Sequence, residues 1–154
     1  MELVDLFAPD AIVVGIAPTT RKAAFQALAQ IMTPGLSIAP ERIVQALNER
    51  EKLGSTGFGG GIAIPHGRVP ELTHMAGGLA ILAEPIGWDA LDGRPVDILF
   101  ALLAPEDAGA EHLKTLARVS RTLRDARVVA QLRGARDAAA VRAILAAGSE
   151  REAA

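Results

Sequence analysis

The chain has 154 residues, of which 50% are hydrophobic but only 3% aromatic, and it carries a net charge of -2 with no cysteine. That length suits one well-buried domain, 1–154, with a core of Ala, Val, Ile and Leu in an α/β layered arrangement. A pI of 5.9 without a Lys/Arg stripe interleaved with aromatics excludes nucleic acid as the main ligand, and the lack of cysteine excludes disulfides, thiol catalysis and Cys-ligated metals.

At the N-terminus, Glu2 and Asp5 stand where a signal peptide would carry Lys or Arg, and no apolar run has the length of a membrane span. A cytoplasmic protein without membrane insertion is the expectation. Residues 11–16, AIVVGI, read as a first strand. Thr19 or Thr20 then caps a helix in which Ala24, Leu28 and Ile31 share a face, and Pro34-Gly35 ends it. Pro40 opens a second helix with Ile43 and Leu47 in one stripe, and Arg50 falls at i+7 of that stripe. Arg50 either offsets the negative helix end, or snorkels over the core, or brings a guanidinium to the turn that follows.

Gly54 caps this helix, and Ser55-Thr56-Gly57-Phe58-Gly59-Gly60-Gly61 follows. Such a turn either needs positive φ or cradles a phosphate with backbone amides, helped by the hydroxyls of Ser55 and Thr56. It lacks the Lys-Ser/Thr end of a P-loop and opens a strand, IAIP, where a nucleotide motif opens a helix. His66 comes at the end of that strand, between the stiff Pro65 and the side-chain-free Gly67.

Residues 75–83 read as a buried strand, Trp88 as a packing or sheet-edge residue, and 96–103 as a strand buried on both faces at the sheet centre. A helix over 110–124 carries Leu116, Val119 and Leu123 inward, and His112 extends their stripe back into its first turn. His112 there either satisfies the core or faces an anion at the positive helix end. Two further helices close the chain, the last with Val141, Ile144 and Leu145 on one face and Gly148 as its stop, before a polar tail, SEREAA, expected to fray.

The three histidines make no HxH or HExxH spacing, no acid stands at a ligand offset from His66, and there is no GxSxG elbow. Neither a metal nor a cofactor is expected. Histidine itself remains as the nucleophile. Largely neutral near pH 7, its ring has one free lone pair, and in-line attack on a phosphoryl group needs only positioning plus cations or donors for the oxygens. With no Mg²⁺ site or nucleotide cradle in the sequence, a phosphoprotein is the expected donor.

The segments REKLGSTGFGGGIAIPHGR (50–68), PIGWDALDGRPVDILFALLAP (85–105) and HLKTLARVSRTLRD (112–125) occur in an order that resembles the IIA proteins of bacterial phosphoenolpyruvate-dependent phosphotransferase systems, of the fructose/mannitol and nitrogen-related type. The resemblance covers about residues 3–147 and implies a mixed central β-sheet flanked by helices on both faces. It implies that His66 accepts a phosphoryl group on Nε2 from the phosphohistidine of an HPr-like carrier, and that Arg50 and His112 line the phosphoryl site. Gly60 departs from the Asn common in the family's turn, and Phe58 replaces an aliphatic residue. With no fused IIB or IIC segment, the chain resembles the nitrogen-related regulatory IIA, a phosphoryl carrier whose state is read by target proteins. A sugar-specific IIA that passes the group to a separate IIB is the alternative, and a binding module that is never phosphorylated is a third.

Overall fold

The computed structural model describes residues 2–153. Its centre is a mixed sheet of six strands, β1 (Ile12–Ile16), β2 (Gly57–Gly59), β3 (Ile62–Ala63), β4 (His66–Arg68), β5 (Ala76–Ile86) and β6 (Val96–Ala104), in the order β1-β5-β6-β3-β2 with β4 also paired to β6. β1 lies parallel to β5, β5 antiparallel to β6, and β3 and β4 parallel to β6. Around it stand α1 (Arg21–Met32), α2 (Pro40–Glu51), α3 (Gly109–Arg124), α4 (Ala126–Arg133) and α5 (Ala138–Ala153).

Both faces of the sheet are covered, as the near-continuous apolar run of β6 requires. Leu99, Ala101 and Leu103 join a core with α1 and α2, whereas Ile98, Phe100 and Leu102 join a second core with the N-terminal turn, α3, α4 and α5. Every residue of β6 from Ile98 to Ala104 is buried, so Phe100→Ala should cost about 3–5 kcal/mol. Trp88 packs edge-on against Phe25 in the first core.

Local chemistry sets the element ends. The Thr20 hydroxyl accepts from the Ala23 amide and caps α1, and Pro40 occupies the first turn of α2 where its missing donor costs nothing. Four boundaries differ from the sequence reading. A 3-10 turn at Leu3–Leu6, with Leu3 and Leu6 buried, closes the second core. β5 continues through Pro85 to Ile86, with its register to β6 shifting between Ile81 and Ile86, a place where proline's lack of a donor is tolerated. α5 passes through Gly148 to Ala153: Gly148 has no positive φ and so does not form the left-handed stop expected of it. The tail is thus helical to Ala153, and its last residue, Ala154, lies outside the described residues.

The fourth difference positions the site. The IAIP strand breaks after Ala63, and His66 begins a new strand, β4, opposite Leu102. His66 therefore opens a strand instead of ending one. Its backbone is fixed by pairing to the central strand on the far side of a stiff proline.

Candidate functional site

β4 lies unusually close to α2. A Cβ on Gly67 would stand 2.8 Å from the Ala46 carbonyl oxygen, so only glycine permits this approach. Because side chains alternate along a strand, Gly67 facing α2 turns His66 and Arg68 the other way, toward α3. There the His66 ring meets His112 edge-on, with centroids 5.7 Å apart and planes at 83°. His112, in the first turn of α3, is only 7% exposed, and its Nε2 has no hydrogen-bond partner among the described residues.

The His66 Nδ1 stands 2.8 Å from the Ile64 carbonyl. A carbonyl only accepts, so the contact is a hydrogen bond when Nδ1 carries the proton, which leaves the lone pair on Nε2. Burial pushes the pKa of His66 below the ordinary 6.5, and the Arg50 guanidinium adds to this, while the Ile64 bond and the Glu51 carboxylate oppose it. His112 is lowered mainly by burial, then by charge on His66 and by Arg68. Both rings are thus held as neutral imidazoles at pH 7.

Arg50 ends α2 half-buried, and its Nη1 donates to the Gly54 carbonyl at 2.9 Å. The three loop residues bond inward. The Thr56 hydroxyl and amide both donate to the Glu51 carboxylate, the Gly57 amide donates to the Ser55 hydroxyl oxygen at 3.1 Å, and the Ser55 hydroxyl donates to the Trp88 carbonyl at 3.4 Å. This differs from donors open to a phosphate: these groups hold the turn in place.

Two residues near the histidines lie outside the sequence reading. Glu51 is buried, and the signal was available, since it sits at i+4 from Leu47 as Leu47 does from Ile43. Arg68 shares the face of His66 at i+2, and its Nη1 donates to the Glu106 carbonyl at 2.9 Å. His74 lies apart, exposed beside a small cavity of about 170 Å³ with Asp5 and Phe7. Among the described residues no group of three His, Cys, Asp or Glu is placed to hold a metal ion.

The family model for the phosphoenolpyruvate-dependent sugar phosphotransferase system, EIIA 2, matches residues 5–148. The chain belongs to that family. Among its IIA relatives, a nitrogen regulatory protein of Bradyrhizobium diazoefficiens is 44% identical over 146 residues, 95% of each chain. The crystal structure of nitrogen regulatory protein IIA-Ntr from Neisseria meningitidis superposes with a TM-score of 0.88 at 34% identity, covering 93% of this chain and 98% of that one. The IIA mannitol enzyme of Escherichia coli, solved in complex with phosphorylated IIB, shares the fold at a TM-score of 0.76 and 22% identity, over 92% of this chain and 99% of that one.

The IIA turn tolerates its departures. Gly60 has φ +68°, the left-handed region that asparagine also adopts, and a Cβ there would meet nothing within 4 Å. An asparagine at this position would therefore fit on the same backbone path. Phe58 is covered by the Arg124 guanidinium, 5.8 Å from its ring centre. Among the described residues no helix is long and apolar enough to cross a membrane.

Proposed function

We propose that this IIA protein is a cytoplasmic phosphoryl carrier in which His66 Nε2 accepts the phosphoryl group from the phosphohistidine of an HPr-like carrier. The observation that carries the reading is the Nδ1 bond to Ile64, which leaves the Nε2 lone pair of a neutral ring available. In the transfer, the Nε2–P bond forms as the donor's P–N bond breaks in line. The donor reacts as its imidazolium and leaves as neutral imidazole, while His66 keeps its Nδ1 proton on the Ile64 carbonyl and takes up the positive charge.

The Arg50 guanidinium and the N–H of His112 supply charge and a donor for the phosphoryl oxygens. His112 has an unpartnered buried nitrogen, which a phosphoryl oxygen would satisfy. Ser55, Thr56 and Gly57 hold the turn after α2 in place through their inward bonds. The kinship with nitrogen regulatory proteins supports a regulatory role, in which target proteins read the phosphorylation state. Transfer to a IIB protein in sugar uptake is the second reading, with weaker support from sugar-specific relatives and from the fold shared with the mannitol enzyme.

Incubation with phosphoenolpyruvate, enzyme I and an HPr-like carrier tests the proposal: wild type should gain acid-labile phosphate and His66→Ala none. Adding a IIB protein to the phosphorylated form then separates the roles. A persistent phosphohistidine supports regulation, and rapid transfer to IIB supports uptake.

A further inference from the structure

Glu51 is 6% exposed, and among the described residues it has no ion pair. An isolated buried carboxylate is costly, and a fold needs it only where it meets donors that nothing else would satisfy. Both oxygens of Glu51 meet Thr56: Oε1 accepts from the hydroxyl at 2.5 Å and Oε2 from the amide at 2.9 Å. The Thr56 carbonyl in turn accepts from the Ile64 amide at 3.0 Å, and the Ile64 carbonyl accepts from His66 Nδ1 at 2.8 Å. Thr56 and Ile64 are thus each held on both their donor and acceptor sides. The carboxylate at the end of α2 and the imidazole at the start of β4 are the two ends of one hydrogen-bonded chain.

We propose that Glu51 is a positioning residue for His66: by clamping Thr56, and through it Ile64, it sets the carbonyl that holds the Nδ1–H and so keeps the Nε2 lone pair for the incoming group. This rests on His66 being the nucleophile. A carboxylate suits the task because it presents two acceptors to the two donors of Thr56. A glutamine has only one acceptor oxygen and would turn an NH₂ group toward the other donor. The charge acts in the same direction. Of the side chains facing His66, Arg50 on α2 and His112 on α3, with Arg68 beside it, are cationic or neutral, and Glu51 joins the Ile64 carbonyl in supporting the positive ring that forms as phosphate is taken up.

The test reads the unphosphorylated protein, so it stands apart from phosphorylation itself. Long-range ¹H–¹⁵N spectra of wild type should show His66 with its proton on Nδ1. In Glu51→Gln the Nδ1–H share should fall in favour of Nε2–H, the His66 titration midpoint should move down, and transfer from the phosphorylated HPr-like carrier should slow at least tenfold. Thr56→Val, which removes only the hydroxyl, should shift the tautomer the same way by less, and it carries the test if Glu51→Gln does not fold. A variant that melts earlier yet keeps the wild-type tautomer and titration midpoint would overturn the proposal and leave Glu51 as a loop anchor. If instead wild type takes no phosphate on His66, the proposed function falls, while the coupling of Glu51 to the His66 tautomer is still read directly from the spectra.

Discussion

Gly67→Ala joins packing to chemistry in a single methyl group. The added Cβ would lie 2.8 Å from the Ala46 carbonyl oxygen and 3.1 Å from its carbon. Carbon and oxygen sit comfortably at about 3.3–3.6 Å, so α2 must retreat from β4 by roughly half an ångström or more. Over-packing of this kind costs about 1–3 kcal/mol, and each kcal/mol lowers the melting temperature of a chain this size by roughly 2–4 °C. The retreating segment is one turn before Arg50 and Glu51, so the guanidinium and the Thr56 clamp move with it. Since a misplacement of about 1 Å can cost about 100-fold in rate, about half that distance should slow transfer roughly tenfold. Single-turnover transfer from the phosphorylated HPr-like carrier, alongside thermal unfolding, measures both effects. Gly60→Asn, in open space at a φ that asparagine adopts, is the control. A Gly67→Ala protein with wild-type melting and a rate within twofold would refute the argument that this close approach sets the site.

Arg50→Ala removes one hydrogen bond to an exposed carbonyl, so stability should fall by no more than about 1 kcal/mol while transfer slows by about 100-fold. Rates within twofold of wild type would make Arg50 a helix-end charge only. His112→Ala should give a slower transfer and a shorter-lived phosphoryl adduct, and unchanged transfer in both directions would return His112 to the core. The depressed pKa values of His66 and His112 mean that the unfolded chain binds more protons than the native one below about pH 6.5. Their neutral forms therefore contribute stability that is complete above pH 6.5 and is lost as pH falls through the folded values. A His66→Gln, His112→Gln double variant should melt with a flatter profile between pH 7 and 5, and an unaltered acid-side slope would contradict the assignment.

The helical stripe of α2 was legible because Ile43 and Leu47 recur at i and i+4, and it carried Arg50 to the right end of the right helix. The burial of β6 and the inward turn of His112 followed from periodicity in the same way. The split between β3 and β4 was not legible. It arises from parallel pairing of two short segments to one strand some thirty residues on in the chain, and no local pattern records that pairing. Glu51 was readable by spacing but masked by its charge, because a carboxylate on an apolar face is read as solvent-facing unless its partner is known. Thr56, the partner, lies beyond the helix end in a turn whose inward bonds depend on the tertiary fold. Gly148 misled for the opposite reason: glycine permits a stop, and the backbone here does not take it.

In the proposed transfer His66 Nε2 carries the phosphoryl group. Phosphorylating ¹⁵N-histidine-labelled protein through enzyme I and the HPr-like carrier, and following the ring nitrogens by long-range ¹H–¹⁵N spectra, tests it most directly. The Nε2 resonance of His66 alone should gain a phosphorus coupling while Nδ1 keeps its proton. Coupling at His66 Nδ1, or phosphate on His112 or His74, would contradict it.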